Sequence, residues 1–232
     1  MKRTSGMQRE RFDSREEWLA ARNKPMCGIG GSDAALICGI EDAFGNIDEL
    51  YNVKRGISKA KSITNDRIEG GIAAEPHIRE LFAIANKERY VVEYHGYDIL
   101  RNDEMPWMFC TLDGELTDIE TGEKGILEIK NIVVTKRAEL DRWSDGRIPE
   151  RYLVQQIHQL ETTQWAFNLL LAFLTIIEYS KRTLPFNRME QRHSYIRRDE
   201  ADYRRNADYV VERERRFWEC VLNGTRPATR II

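Results

Sequence analysis

Thr111-Leu112-Asp113-Gly114-Glu115 and, after a polar turn over residues 118–124, Gly125-Ile126-Leu127-Glu128-Ile129-Lys130-Asn131 decide how this chain is read. Both stretches have the composition of strands. Side chains alternate faces along a strand, so Glu128 and Lys130 point one way while Leu127 and Ile129 point the other, as buried partners would. An acid and a lysine side by side on an otherwise apolar strand are either a surface ion pair of little energetic weight or part of a reaction centre.

Working outward, residues 90–94 and 97–100 read as strands around a His95-Gly96 turn, and 107–112 as a third strand, so the middle of the chain is a meander of about four strands. Residues 169–178 read as a buried strand returning to the sheet, and 194–197 as a short edge strand. Helices flank this core. Asp13 or Ser14 caps a helix carrying Trp18, Leu19 and Arg22, which Pro25 ends. A glycine-rich turn at 28–31 runs into Ser32 or Asp33 as the cap of a short helix; it is either an ordinary capped turn or a phosphate seat. Residues 46–55 form a helix, and 64–86 a long one in which Pro76 sits as a kink or a restart. Residues 149–165 place Leu153, Ile157 and Leu160 on a core stripe and Tyr152, Gln155 and Gln159 on another face. Residues 200–222 form a charged last helix whose packing stripe is interrupted by Glu214, with Gly224 as its stop. The first ten residues are polar and read as loose. The expectation is one α/β (α+β) domain over 1–232, a mixed central sheet of about five strands flanked by helices, with helical elaborations at both ends.

Apolar residues make up 41% of the chain and charged residues 32%, a globular and highly charged composition. The formal net charge of -2 gives no support for a simple nucleic-acid coat, although an acidic metal site offsets a local basic groove. Cysteines 27, 38, 110 and 220 are never within C-x2-C distance, so a zinc or iron–sulfur framework is poorly supported and reduced thiols in a cytosolic protein are expected. No signal peptide is apparent, and the longest apolar run, 169–177, is far short of a membrane span. His77, His95, His158 and His193 are scattered, and none is taken as catalytic. Trp18 is read as core, Trp107 and Trp143 as able to meet DNA, and the charge run 212–216 as a solvated helix face.

Asp113 precedes Glu128-Ile129-Lys130 by fourteen intervening residues. Two carboxylates on adjacent strand ends can hold a hard divalent cation, with Mg²⁺ or Mn²⁺ suited to oxygen ligands, and the Ile129 carbonyl is close enough to add a third ligand. Lys130 is then placed to orient or deprotonate an attacking water, or to neutralise a phosphate. That set fits metal-assisted phosphodiester hydrolysis.

Glu75 on a helix, Asp113 on a strand, Glu128-Ile129-Lys130 on the next and Gln155 on a helix resemble, in that order, the PD-(D/E)xK nuclease superfamily. More closely, the chain resembles the phage-type alkaline exonucleases, the lambda exonuclease and YqaJ-like viral recombinase family. Five motifs carry the likeness across roughly residues 18–165: Trp18-Leu19-Ala20-Ala21-Arg22 with Gly28-Ile29-Gly30-Gly31-Ser32-Asp33-Ala34; Gly70-Gly71 to Glu75-Pro76; Thr111-Leu112-Asp113-Gly114; Leu127-Glu128-Ile129-Lys130; and Tyr152-Leu153-Val154-Gln155. Leu112 stands where the family has proline. The family's second glutamine falls on Ile157, with Gln156 or Gln159 as substitutes. Residues 23–27 lengthen the gap before Ser32. The last third matches no motif, and clustered cysteines of a related CRISPR-associated nuclease are missing.

The resemblance implies a restriction-endonuclease-like core and an Mg²⁺-dependent exonuclease, with Mn²⁺ as a possible substitute and two ions in the site. Asp113 and Glu128 would be metal ligands with the Ile129 carbonyl, and Glu75 would lie near the second metal or bind through water. Lys130 would contact the nucleophilic water and Gln155 position water or phosphate. Arg22, Ser32 and Thr111 match positions that hold a terminal 5′-phosphate, and Lys136 or Arg137 another phosphate contact. It further implies 5′-to-3′ digestion of linear duplex DNA to mononucleotides, leaving 3′ tails for a single-strand annealing protein. A ring-shaped homotrimer, no membrane, and the cytoplasm of a bacterial host with a phage or prophage gene complete the picture. An endonuclease of the same superfamily and a non-enzymatic DNA-binding recombination module are the alternatives.

Overall fold

The computed structural model describes residues 6–60, 65–178 and 186–227. In order the elements are β1 (Met7–Arg11), α1 (Arg15–Asn23), α2 (Gly31–Ile37), α3 (Ile47–Lys54), α4 (Asp66–Ala85), β2 (Tyr90–Glu93), β3 (Asp98–Asn102), β4 (Phe109–Cys110), β5 (Gly114–Asp118), β6 (Lys124–Val134), α5 (Arg137–Asp141), α6 (Glu150–Thr163), β7 (Phe167–Glu178), β8 (Phe186–Arg197) and α7 (Tyr203–Asn223). The main sheet has five strands in the order β2-β5-β6-β7-β8, and a smaller sheet has the order β1-β3-β4. β6 and β7 run parallel with α6 as their crossover, while the other main-sheet pairs are antiparallel. A mixed sheet of five strands flanked by helices is the expected fold class.

β6 is central and covered on both faces, which explains its apolar run. Leu127 and Ile129 pack with Ile78 and Phe82 of α4. Ile126, on the other face, packs with Val154, Ile157 and Leu160 of α6. Full burial of each such side chain contributes about 1.5–3 kcal/mol. Beyond α6, Tyr203, Ala207 and Val210 of α7 join the same cluster, and its later turns pack Phe217 and Val221 on Ile29 and Tyr51.

Several expectations are corrected. The first residues are not all loose: Met7–Arg11 pairs with β3. The stretches around His95-Gly96 are not a hairpin, because β2 joins the main sheet and β3 the small one. The third strand shrinks to Phe109–Cys110, and Asp113 stands in the bend before β5 rather than on a strand. The edge strand is the whole of Phe186–Arg197, whose alternation is obscured by its many charged residues. Pro76 does not restart the helix, which is one element, Asp66–Ala85, with the proline inside it; Thr64, expected to open that helix, lies outside the described residues. Gly30, not Ser32 or Asp33, caps α2, and Asp33 accepts from the Gly30 N–H at 3.0 Å. Trp143 is 1% exposed and therefore core. Glu214 is 0% exposed, so the charge run is not wholly a solvated face.

Candidate metal and phosphate site

The site forms where β5 and β6 part. Their ladder pairs Gly114 with Leu127 and stops there. The next rung would set Ile129 against Leu112, but the chain bends at Asp113. The Asp113 side chain fills the gap: its Oδ2 accepts from the Ile129 N–H at 2.8 Å. In a strand the N–H and C=O of one residue point to the same edge, so the Ile129 carbonyl faces this opened edge as well. Asp113 is itself held from the other side, its backbone carbonyl accepting from Arg79 Nε at 2.5 Å.

Glu128, 2% exposed, points towards α6. Its Oε1 accepts from Lys130 Nζ at 2.5 Å and from Gln155 Nε2 at 2.7 Å. Its Oε2 accepts from Gln159 Nε2 at 2.6 Å. The glutamines are four apart on one helix, so both reach down the same face. Gln159 is fixed in turn by Asn168 of β7, whose Nδ2 donates to Gln159 Oε1 at 2.8 Å. Gln156 donates to Asn168 instead, so of the two candidates for a second glutamine it is Gln159 that meets the acid.

The electrostatics match this crowding. Removal from water raises the Asp113 pKa well above the usual carboxylate range, and the Glu128 and Glu75 charges push the same way. Burial opposes the charge on Lys130, but Glu128 and Asp113 outweigh it and raise its pKa. Lys130 is therefore held as a cation, with its Nζ 5.5 Å from the Tyr152 ring.

Glu75 lines the same cavity of about 720 Å³ as Asp113, Ile129, Lys130 and Tyr152. Its Oε1 is paired with Arg79 Nη2 at 2.7 Å rather than turned onto Asp113 and Glu128. Among the described residues no three His, Cys, Asp or Glu side chains converge into a finished metal cage. The donors nevertheless fit a hard cation. Asp113, Glu128 and the Ile129 carbonyl supply oxygen only, and Mg²⁺ needs few protein ligands because it retains several waters. Among the described residues Asp113 Oδ1 takes no hydrogen bond, and a cation there would offset the burial and the carboxylate repulsion that raise the Asp113 pKa.

Arg22, at the end of α1, and Ser32, in the first turn of α2, share a separate cleft of about 530 Å³. α2 approaches α6 closely at Gly31, where an added Cβ would lie 3.3 Å from Gln155 Cγ. That contact sets Ser32 near the acid-binding glutamine. The Arg22 guanidinium stacks 4.5 Å from the Trp18 ring. Burial lowers its pKa against the pull of Asp33 and Asp113. Of the lysines that also line this cleft, the buried Lys54 is engaged by Asp33 at 2.7 Å. Thr111 lies between β4 and β5, two residues before Asp113. Lys136 and Arg137 are not brought to the cluster. They begin α5 beyond the end of β6, about 20 Å along the strand from Lys130, and Arg137 is paired with Asp141.

Sequence reasoning missed Arg79 and Asn168. The spacing of Arg79, four residues after Glu75 on a helix, was a readable signal; Asn168 carried none, because its role arises only when β7 docks beside β6. Glu214 interrupts the α7 stripe for a structural reason. Its Oε1 lies 2.8 Å from His158 Nδ1, and His158 Nε2 lies 2.8 Å from the Phe109 carbonyl. The carbonyl can only accept, so Nε2 carries a proton and the His158–Glu214 contact shares one more.

Residues 17–166 match the sequence model of the YqaJ-like viral recombinase domain family. The chain is 34% identical over 153 residues to the Bacillus subtilis (strain 168) protein YqaJ, a match covering 63% of this chain and 42% of that protein's length. The fold is similar to the crystal structure of an alkaline exonuclease from Laribacter hongkongensis, with a TM-score of 0.56, 17% identity, and coverage of 90% of this chain and 95% of that one. It is similar to the same exonuclease in complex with dAMP, at a TM-score of 0.52, 18% identity, and coverage of 90% and 97%.

Proposed function

The chain belongs to the family of YqaJ-like viral recombinase domains, and on that premise we propose that it is a metal-dependent deoxyribonuclease that digests linear duplex DNA from its ends. The observation that carries this reading is the opened rung between β5 and β6. There Asp113, Ile129 and Lys130 line one cavity, the Ile129 N–H bonded to Asp113, and the buried Glu128, held by Gln155 and Gln159, meets Lys130.

Mg²⁺, or Mn²⁺ in its place, would be held by Asp113, Glu128 and the Ile129 carbonyl, with Glu75 near a second ion, and would supply Lewis-acid activation of water and phosphate. The chain's own groups do the rest. Lys130, bonded to Glu128, is placed to orient the attacking water and to offset phosphate charge. Gln155 and Gln159 fix the Glu128 carboxylate so that its geometry needs no rearrangement during the reaction. Arg22 is a half-buried cation with no carboxylate in hydrogen-bond contact among the described residues, and with Ser32 and Thr111 it receives the terminal 5′-phosphate. An end anchored there sets the next phosphodiester over Asp113 and Glu128, which gives 5′-to-3′ polarity, mononucleotide products and 3′ single-stranded tails for an annealing protein. That the Laribacter exonuclease of similar fold is captured with dAMP supports a mononucleotide product. Lys136 or Arg137 adds a more distant phosphate contact. The family's ring-shaped homotrimer and its setting, a phage or prophage gene expressed in bacterial cytoplasm, belong to the same reading.

Purified protein with Mg²⁺ on end-labelled linear duplex, beside closed circular duplex, tests it. Mononucleotide release from 5′ ends with intact circles is expected. Linearised or nicked circles would transfer the chain to the endonucleases, and intact linear DNA would leave a binding module.

A further inference from the structure

The α2–α3 loop presents an aromatic ring where the two cavities meet. Phe44 is 76% exposed, yet it is built in rather than loose. It lines both the cleft containing Arg22 and Ser32 and the cavity containing Asp113 and Lys130. The Arg151 guanidinium lies 4.9 Å from its ring centre. Arg151 is itself buried, its Nη1 bonded to Asp42 at 2.5 Å and its Nη2 to the Tyr152 hydroxyl at 3.2 Å. Arg142 holds the same Asp42 carboxylate at 2.9 Å. Gly45, with φ +105°, turns the chain directly after Phe44 in a conformation that side chains disfavour. A lone exposed apolar side chain is ordinary on a protein surface; Phe44 is distinguished by its place on the lining of both cavities and by the buried, doubly anchored cation beside its ring.

We propose that Phe44 stacks on the nucleobase of the 5′-terminal nucleotide. This rests on the nuclease reading. If the terminal phosphate sits beside Arg22 and the scissile one beside Asp113, the nucleoside between them must pass the wall that the two cavities share, and Phe44 stands on that wall. Every base offers a π-face, so such a contact holds the end without selecting sequence, as an enzyme consuming arbitrary DNA requires. Arg151 is a positioning residue, acting through the ring.

The experiment is a cycle between Phe44 and the base. Two Mg²⁺-supported 5′-phosphorylated linear duplexes are digested, identical except that one carries an abasic 5′-terminal nucleotide. For the natural end Phe44→Ala raises KM roughly five- to a hundredfold, the range for losing one base–aromatic stack, and Phe44→Trp restores it. For the abasic end the wild-type protein shows the same rise and Phe44→Ala adds nothing further. An unchanged KM on the natural end, or an equal rise on both ends, overturns the inference while the nuclease reading stands. Failure of the wild-type protein to cut either duplex overturns both.

Discussion

The Ile129 N–H donates to Asp113 Oδ2 at 2.8 Å, across the point where β5 leaves β6. A side chain thus completes a rung that a backbone carbonyl would otherwise fill. The same bond brings an acid onto the strand carrying Glu128 and Lys130, and it turns the neighbouring carbonyl to an edge that no strand covers. Local chain geometry and proposed chemistry are one feature here.

Lys130→Met removes the charge while keeping a side chain of similar length. Loss of a positioned charge-stabilising donor costs about 10²–10³ in kcat, so single-turnover cleavage should fall by that order. DNA affinity, followed by fluorescence anisotropy, should stay within about threefold, because a single contact among many phosphate contacts is lost. Wild-type turnover in this variant would remove the lysine from the mechanism.

Gln159 and Gln155 both meet Glu128, but Gln159 is buried and tied to Asn168 whereas Gln155 is half-buried. Gln159→Leu leaves a buried acceptor, Glu128 Oε2, and a buried donor, Asn168 Nδ2, unpaired and should lower stability by about 1–3 kcal/mol together with activity. Gln155→Leu should reduce activity with a smaller stability loss. Urea denaturation beside a cleavage assay distinguishes them, and equal stability losses would contradict the ordering.

Gly125 lies opposite Phe167 in the β6–β7 register, and a Cβ there would collide with the Phe167 ring, itself 1% exposed. Gly125→Ala should therefore destabilise by about 1–3 kcal/mol, an overpacking cost, seen as a lower urea midpoint with an unchanged slope. A neutral result would mean that the ring has somewhere to go.

The His158–Glu214 pair gives a pH dependence. Burial works against charge on His158, but Glu214 and the Phe109 carbonyl outweigh it and raise its pKa. A folded value above the unfolded one means that the pair's contribution is complete below about pH 6.5 and is lost as pH rises through the folded value. Stability should thus fall from pH 6.5 upward, by at most about 1.4 kcal/mol per pH unit from this pair. Glu214→Gln, which donates to a neutral imidazole, should flatten that dependence, whereas Glu214→Leu should lower stability by about 3–5 kcal/mol for a broken buried pair. Thermal midpoints across pH 6 to 9 report both, and equal slopes in the wild-type and Glu214→Gln proteins would refute the assignment.

How far the sequence could be read follows from the range of the interactions. Periodicity exposed β6 and α6, because each buries a face of its own against neighbours the chain must supply. The facing of Glu128 and Lys130 was legible for the same reason. Spacing brought Asp113 near, but not the bend that makes its side chain a rung, since that depends on where a ladder stops. The tie between Gln159 and Asn168 was invisible because it crosses from α6 to β7. Residues 90–94 and 97–100 read as a hairpin, since a His-Gly pair between strand-like runs is a local turn signal; the strands found there, β2 and β3, belong to different sheets, and β3 pairs with Met7–Arg11 from near the N-terminus. Phe44 was unreadable for a related reason, since its exposure is a property of the assembled core; Glu214 could be seen to interrupt the α7 stripe, but not its partner His158, which α6 supplies.

The central claim is that the opened rung is a divalent-cation site, and calorimetric titration of Mn²⁺ into the DNA-free protein tests it most directly, with Asp113→Asn alongside. The account predicts saturable binding to the wild-type protein and at least a tenfold weakening in Asp113→Asn, roughly the 1.4 kcal/mol that a tenfold change represents. Equal Mn²⁺ affinity in the two proteins, both folded, would contradict it.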